Sequence, residues 1–198
     1  FLDLCSAMTG RAPLSRWFLR SAGTDGGGGF RSPTVSSSRH AQQVALADSL
    51  EANDRAAEAE PLYRGVIAED PGALAAWHGL ARSLLSLARP GEAVEALERV
   101  LTRDRSFRGY SAALDYAEAL WQNGQGQDAI EVLESLTRLT GRMNHQVALA
   151  HYLALDGRRE AARAVLERSL AEHRDDLAEP RERRWAVRAV AMLEGLRS

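Results

Sequence analysis

The chain has 198 residues, of which 45% are apolar and 26% charged, and its formal net charge is -2. These values are ordinary for one globular domain, and the near-neutral charge excludes a chain-wide basic surface for nucleic acid. Cys5 is the single cysteine, which excludes an intramolecular disulfide and a cysteine-based zinc site. All 25 basic residues are arginines, and together with abundant alanine and glycine this bias indicates a GC-rich bacterial genome.

The N-terminal part of the chain divides into two segments by composition. Residues 1–20 mix apolar and basic side chains, so we interpret them as an apolar and basic segment that lies near a membrane. Residues 21–39 are rich in glycine and serine and cannot bury enough surface to offset their ordering entropy, so we predict a flexible linker. The glycine run has no following lysine and no preceding strand, which favours a linker over a phosphate-binding loop.

From about residue 40, apolar residues recur with the period of amphipathic helices, and turn residues separate four helical hairpins and a last helix. No stretch alternates with period two, so we predict no sheet. We assign residues 40–178 to a helical repeat domain and residues 179–198 to a capping helix. The predicted helices, in chain order, are 42–52 and 56–69, 74–87 and 91–103, 110–122 and 127–139, 144–155 and 159–173, and 180–196.

The predicted capping helix has a charged side and an apolar side. The outward side is expected to carry Arg181, Glu182, Arg184 and Arg188. The inward side is expected to carry Trp185, Val187, Val190, Met192 and Leu193. An arginine excess could contact lipid headgroups or RNA, but the interleaved acidic residues favour a solvated surface, so we expect a structural cap and no nucleic-acid binding.

Alanine recurs at one position in the second helix of each hairpin, at intervals of 34, 36 and 33 residues: Ala59, Ala93, Ala129 and Ala162. A larger side chain follows each alanine four positions later: Tyr63, Leu97, Leu133 and Leu166. Alanine lets two helices approach closely, and the residue four places on fills the space beside it. This period predicts a stack of hairpins, because a lone hairpin cannot bury its own apolar face.

In this register the units resemble tetratricopeptide repeats, whose pattern is W-x2-L-G-x2-Y, a turn glycine, an alanine, an aromatic residue and a proline. The second unit matches at Trp77, Leu80, Ala81, Leu84, Ala93 and Leu97. The resemblance covers about residues 40–174, although the terminal proline occurs only at Pro71 and the first two units lack the turn glycine. It implies an all-α fold, a right-handed α-solenoid of about four such hairpins with a C-terminal capping helix.

The resemblance also implies a non-enzymatic protein–protein interaction scaffold, which binds a peptide or a partner helix in a concave groove lined by the first helix of each unit. In such a groove Arg82 would offer forked donors to a carboxylate, and Glu118 would receive a basic group. Trp121 either anchors the partner or packs within the chain, on the next unit or on the linker. The expected groove residues are Asp48, His78, Arg82, Leu114, Glu118, Trp121 and His151.

Motifs for catalysis, cofactors and metals are absent from the sequence. It contains no P-loop, no HExxH, no GxSxG and no GxGxxG between a strand and a helix, and no two of its five histidines are spaced i,i+4. We therefore expect no enzymatic activity, no cofactor and no metal site. Some relatives bind the C-terminal carboxylate of a chaperone with lysine and asparagine side chains. The matching positions here are Val44, Asp48, Gly79, Arg82 and Asp115, so we do not expect this mode of binding.

An alternative function is that of a regulatory or substrate-recruiting domain of a larger enzyme or membrane assembly. The layout of the first 39 residues resembles that of bacterial tetratricopeptide proteins with an N-terminal membrane anchor. Such an anchor would lie upstream of Phe1, and Arg11, Arg16 and Arg20 would follow it on the cytoplasmic side. We expect a cytoplasmic protein, either free or anchored to the cytoplasmic face of the inner membrane. The sequence indicates no oligomeric state.

Overall fold

The computed structural model describes residues 35–174 and 179–197, and within these ranges the chain forms helices and no strand. The predicted segment 1–20 and residues 21–34 of the predicted linker lie outside the described residues. The helices are α1 (Val35–Glu51), α2 (Ala56–Glu69), α3 (Leu74–Ser86), α4 (Pro90–Arg103), α5 (Phe107–Gln122), α6 (Gly126–Thr140), α7 (Met143–Leu155), α8 (Arg159–Glu172) and α9 (Pro180–Arg197).

Consecutive helices pair into four hairpins, α1 with α2, α3 with α4, α5 with α6, and α7 with α8. Each hairpin packs on the next one through the contact between its second helix and the following first helix, and α9 lies against α7 and α8. The result is a right-handed α-solenoid of four hairpins with a C-terminal capping helix, as the sequence predicts. A stack of this kind is held by contacts between neighbours, so each unit depends on the next for burial of its apolar face.

The periodic alanines lie at the helix crossings, as predicted. Ala59, Ala93, Ala129 and Ala162 all have 0% exposure, and so do the four larger residues that follow them, Tyr63, Leu97, Leu133 and Leu166. All eight belong to one continuous apolar core that runs through the stack. The repeat period therefore marks the residues that hold the hairpins together.

Tyr63 joins the first hairpin to the second. Its ring lies against Gly79 of α3 so closely that a Cβ built on this glycine would be 2.3 Å from two ring carbons. The phenol donates a hydrogen bond of 2.5 Å to Asp48 Oδ1 of α1. The absence of a side chain at position 79 is thus what allows the aromatic ring of α2 to fill the interface.

The turn inside each hairpin contains one residue in the left-handed region of backbone space. These residues lie five positions before the periodic alanines, at Asp54, Ala88, Gly124 and Gly157, with φ of 59°, 56°, 80° and 83°. Glycine adopts this conformation without steric cost, whereas a Cβ costs roughly 1–2 kcal/mol. The four turns therefore share one geometry, although the first two hairpins lack the glycine of the repeat pattern.

The start of α1 differs from the prediction, and the start of α5 agrees with it but contains an additional turn. The helix α1 begins at Val35, so residues 35–39 of the predicted linker are helical. Near the start of α5, Arg108, Gly109 and Tyr110 have φ of 49°, 65° and 73° and form a left-handed turn. The regular part of α5 follows this turn, which agrees with the predicted helix start at residue 110. Arg142 Nη1 donates a hydrogen bond of 3.0 Å to the Gly109 carbonyl and fixes the turn against the next unit.

The capping helix is rotated relative to the prediction. Val187 and Val190, expected on the inward side, are 66% and 45% exposed. The buried side consists of Ala186, Ala189 and Leu193. Small alanine side chains allow α9 to approach α7 and α8 closely, and the wider valines then fall outside the contact.

Two glycines in adjacent helices are expected to respond in opposite directions to alanine. Gly79→Ala should lower the free energy of unfolding by about 1–3 kcal/mol, because its Cβ would overlap the Tyr63 ring. Gly65→Ala in α2 should raise it by about 0.5–1 kcal/mol, since no atom lies within 4 Å and alanine favours the helix. Urea unfolding followed by circular dichroism measures both, and equal effects of the two variants would contradict the packing described.

The turn geometry predicts that Ala88→Gly stabilises the protein. The change removes the steric cost of a Cβ at φ 56° and should raise the free energy of unfolding by about 0.5–1 kcal/mol after the extra chain entropy of glycine. The matched control is Gly124→Ala at the same position of the third hairpin, which should lower stability by about 1 kcal/mol. A shift of the urea midpoint at constant slope measures each effect, and destabilisation by Ala88→Gly would refute the shared turn geometry.

Candidate functional site

The concave side of the stack is formed by the first helices of the hairpins. The helix α1 contacts α3, and α3 contacts α5, whereas the second helices of neighbouring hairpins approach each other less closely. The predicted groove residues lie on these first helices: Asp48 on α1, His78 and Arg82 on α3, Leu114, Glu118 and Trp121 on α5, and His151 on α7. They do not form one continuous surface, because their side chains have different partners in the two halves of the stack.

In the N-terminal half, the predicted groove residues are already paired within the chain. Arg82 Nη2 lies 2.7 Å from Glu51 Oε2 and donates a hydrogen bond of 3.0 Å to Oε1 of the same carboxylate. Asp48 accepts the Tyr63 hydroxyl through Oδ1, and its Oδ2 lies 3.8 Å from the Arg108 guanidinium. The donors and acceptors that the sequence offers to a ligand in this region therefore serve to join α1, α3 and α5.

His78 was expected in the groove but is a core residue. It is 1% exposed, and its Nε2 lies 2.6 Å from Asp115 Oδ2 of α5. Its ring also packs edge-on against Phe107, with 5.6 Å between the centroids. A partner in the groove cannot contact this side chain, so the expectation for His78 is wrong.

In the C-terminal half, α5, α7 and α9 enclose an open pocket of about 290 Å³. Three of the predicted groove residues, Leu114, Glu118 and His151, line it together. The other lining residues are Asp115, Leu133, Asn144, Val147, Ala148, Tyr152, Trp185 and Arg188. The capping helix is therefore a wall of this pocket as well as a cover for the end of the stack.

The α5 side of the pocket is acidic. Desolvation by the surrounding walls raises the pKa of Glu118, and the nearby charge of Asp115 raises it further. Gln122 Nε2 donates a hydrogen bond of 3.1 Å to Glu118 Oε1 and opposes the shift. Burial, followed by the charges of Glu118 and Asp115, raises the pKa of Tyr152 to about 12. Among the described residues, no cationic side chain forms an ion pair with Glu118.

The opposite side of the pocket carries Arg188 and His151. Desolvation lowers the pKa of His151, and the positive charge of Arg188 lowers it further, so both effects favour the neutral imidazole. The Arg188 guanidinium lies 5.8 Å from the centroid of the Trp185 ring. The pocket thus combines two carboxylates at one end, aromatic rings in its walls and one guanidinium at the other end.

Trp121 packs on the next unit. Its ring centroid is 5.1 Å from that of Tyr152, and a Cβ at Gly126 would lie 3.1 Å from Trp121 Cζ3. Of the two interpretations of this residue, the structure therefore supports packing between hairpins. Its role at the site is indirect, because it holds the tyrosine that lines the pocket.

Eight residues of the pocket were not among the predicted groove residues, and four of them give it its charge and its aromatic walls: Asp115, Tyr152, Trp185 and Arg188. Asp115 precedes Glu118 by three positions, so helical spacing places both on one face and could have identified it. Trp185 and Arg188 lie on the capping helix, which a mapping of the repeat units leaves out. Only the position of α9 across α7 brings these two side chains to the groove.

The described residues contain no group of three or more histidine, cysteine, aspartate and glutamate side chains placed to bind a metal ion. Within the same residues, no helix has the length and apolar character that crossing a membrane requires.

Comparison with known proteins identifies the repeat. The sequence profile of the tetratricopeptide repeat (TPR) matches residues 50–112. No curated protein matches the chain. Among solved structures, the chain is similar to the TPR-like repeats of a Podosopora anserina protein described as a kinesin light chain, with 25% identity, a TM-score of 0.64, and coverage of 81% of this chain and 90% of the other.

Two further structures share the fold. A thermophilic TPR protein of Thermus thermophilus is 22% identical, with a TM-score of 0.59 and coverage of 77% and 82% of the two chains. YrrB, a TPR protein with an unusual peptide-binding site, is 14% identical, with a TM-score of 0.56 and coverage of 82% and 92%. The alanine period, the four stacked hairpins and the profile match agree with one another: the chain contains tetratricopeptide repeats and has the fold of a TPR solenoid.

Proposed function

We propose that this TPR protein is a scaffold without catalytic activity that binds a peptide or a partner helix in its concave groove, and that the pocket between α5, α7 and α9 receives a basic side chain of that partner. The TPR fold is typical of protein–protein interaction scaffolds, and the family is generally non-catalytic. YrrB, which shares the fold, is described as having an unusual peptide-binding site, and this supports a peptide as the ligand class.

The observation that carries the proposal is the state of the Glu118 carboxylate. It is partly desolvated and close to the charge of Asp115, and it accepts a hydrogen bond from the neutral amide of Gln122. Asp115, in contrast, is already paired with His78. A guanidinium or ammonium group from a partner would compensate the charge of Glu118 and form a charge-assisted hydrogen bond.

The walls of the pocket suit the rest of such a side chain. Leu114 and Val147 offer apolar surface, and Tyr152 and Trp185 offer aromatic rings. Arginine and lysine carry apolar stems that pack on such surfaces while their charged ends reach a carboxylate. At the other end, Arg188 provides donors for a backbone carbonyl or a carboxylate of the partner.

Glu118 is a better site for testing the groove than the other candidates. Arg82 already pairs with Glu51, and Trp121 packs on Tyr152, so truncation of either would disturb the fold as well as the surface. Glu118 is exposed and joins no other hairpin through an ion pair in the described part of the chain. Its replacement by glutamine removes the charge and keeps the shape of the side chain.

Selection of random peptides on the full-length protein should yield ligands that contain arginine or lysine beside apolar residues. Glu118→Gln should weaken the binding of such a peptide by about tenfold, which corresponds to about 1.4 kcal/mol. The affinity for the unchanged protein should also fall as the pH is lowered, because the raised pKa of Glu118 makes this carboxylate take up a proton at a higher pH than an ordinary glutamate does. The variant should lose this part of the pH dependence. Fluorescence polarisation with the labelled peptide measures both effects.

The matched control is Glu95→Gln, the same change at an exposed position of a second helix, which should leave the affinity unchanged. Selected peptides that bind Glu118→Gln as tightly as the unchanged protein would place the ligand elsewhere. Peptides without any basic residue would contradict the proposed ligand chemistry.

A further inference from the structure

Two positions of α1 are exposed although the same positions are buried in every later unit. Leu46 lies thirteen positions before the periodic alanine of its unit and is 55% exposed. Its counterparts in the next three units are 3%, 0% and 5% exposed: Leu80, Tyr116 and Leu149. Four positions earlier, Gln42 is exposed, whereas its counterparts are buried: Ala76, Ala112 and His145. Gln42, Leu46 and Ser49 share one side of α1 and are all exposed, and we call them the α1 end face.

In each later unit, this side of the first helix is covered by the second helix of the hairpin before it. Tyr63 of α2 lies against Gly79 of α3. Tyr116 of α5 donates a hydrogen bond of 3.3 Å to Glu98 Oε1 of α4. The helix α6 likewise contacts α7. The α1 end face is therefore the place where the stack would receive one more antiparallel helix with an apolar side.

The residues that directly precede α1 are poorly suited to form this helix. In the later units, only two to four residues connect the covering helix to the next first helix. The corresponding stretch before α1 contains four consecutive glycines at 26–29 and a proline at position 33. Glycine loses more conformational entropy in a helix than any other residue, and proline interrupts a helix. A covering helix from the same chain must therefore come from further upstream.

The nearest apolar segment upstream is 13–20, and its sequence has the pattern that the α1 end face requires. Leu14, Trp17 and Phe18 are spaced i, i+3 and i+4, which places them on one side of a helix. The opposite side of such a helix carries two basic residues, Arg16 and Arg20. The segment therefore combines one apolar side for packing with one charged side for solvent.

The chain between this segment and α1 is long enough for the contact. Residues 21–34 form a connection of fourteen residues, and a glycine- and serine-rich chain of this length has an r.m.s. end-to-end distance of about 20 Å. An antiparallel helix on α1 places its last residue beside the first half of α1. To reach Gln42, the connection must span about 10 Å between the helix axes and about 10 Å along α1 from Val35. The combined distance of about 15 Å is within the ordinary span of such a chain.

We propose that residues 13–20 pack as a helix on the α1 end face of the same chain, antiparallel to α1, and complete the N-terminal end of the stack. The apolar side of the segment covers Leu46, and the small Ser49 leaves room for an aromatic ring beside it. The stack then has a covering helix at both ends, this one and α9. The apolar side chains of the segment are buried against α1 and withheld from a lipid surface. Docking here is independent of ligand binding in the pocket, which lies in the other half of the stack.

Hydrogen exchange of the full chain, measured by mass spectrometry for the peptides that cover residues 13–20, tests this contact. These amides should exchange at least about tenfold more slowly than in a synthetic peptide of the same sequence, because the docked helix must open before exchange. Leu46→Glu should return them to the rate of the peptide, since it places a carboxylate under the apolar side. Ser49→Arg should do the same by filling the space beside Leu46. The slow exchange should not depend on protein concentration between about 5 and 200 µM, because the contact lies within one chain.

Leu155→Glu is the matched control, since this leucine at the end of α7 is also 55% exposed, and it should leave the exchange of residues 13–20 unchanged. Within the segment, Trp17→Ser should abolish the slow exchange and Arg16→Ser should preserve it. Circular dichroism verifies that each variant is folded, and if Leu46→Glu does not fold, Ser49→Arg decides.

Three results would overturn the proposal. The first is exchange of residues 13–20 in the unchanged chain at the rate of the free peptide. The second is slow exchange that survives the substitutions in the α1 end face, which would place the segment elsewhere. The third is slow exchange that appears only at high protein concentration, which would show that a second copy covers this face.

Discussion

The close approach of two helices at a buried alanine is the contact on which the rest of this structure depends. The four periodic alanines are fully buried, and a larger residue beside each fills the remaining space. Because every hairpin rests only on its neighbours, a change in one crossing would displace all the units beyond it. The pocket needs α5, α7 and α9 at fixed separations, so its shape depends on the crossings at Ala129 and Ala162.

The repeat architecture could be predicted because its determinants are local and recur. Every unit repeats the same three features: a small residue, a large residue four places after it, and a turn residue five places before it. Each unit therefore supports the register of the others. The predicted helix bounds accordingly differ from the observed ones by only a few residues, except at α1. At that end the serine-rich composition of residues 21–39 indicated a linker, and the helical residues from Val35 onwards carry no repeat signal.

The candidate site was predicted only in part, because side chains between units are decided by partners far away in sequence. The spacing of His78 in its repeat predicts a groove residue, but its side chain is buried in the core, where it contacts Asp115 of the next hairpin. The ring of Trp121 likewise packs against Tyr152 of the following hairpin. The repeat pattern gives no register for the capping helix, and its apolar residues lie on several sides. Pattern alone therefore favoured the larger Val187 over the alanines that pack inside.

The turns of the first two hairpins are strained, whereas those of the last two are not, so the two ends of the stack differ. Asp54 and Ala88 hold a left-handed backbone against the cost of a Cβ, whereas Gly124 and Gly157 adopt it freely. The first two hairpins are also the first to leave the ribosome, and until the third hairpin follows they lack the neighbour that compensates this strain. We therefore expect the N-terminal hairpins to open to proteases before the C-terminal ones, both during synthesis and in the finished protein.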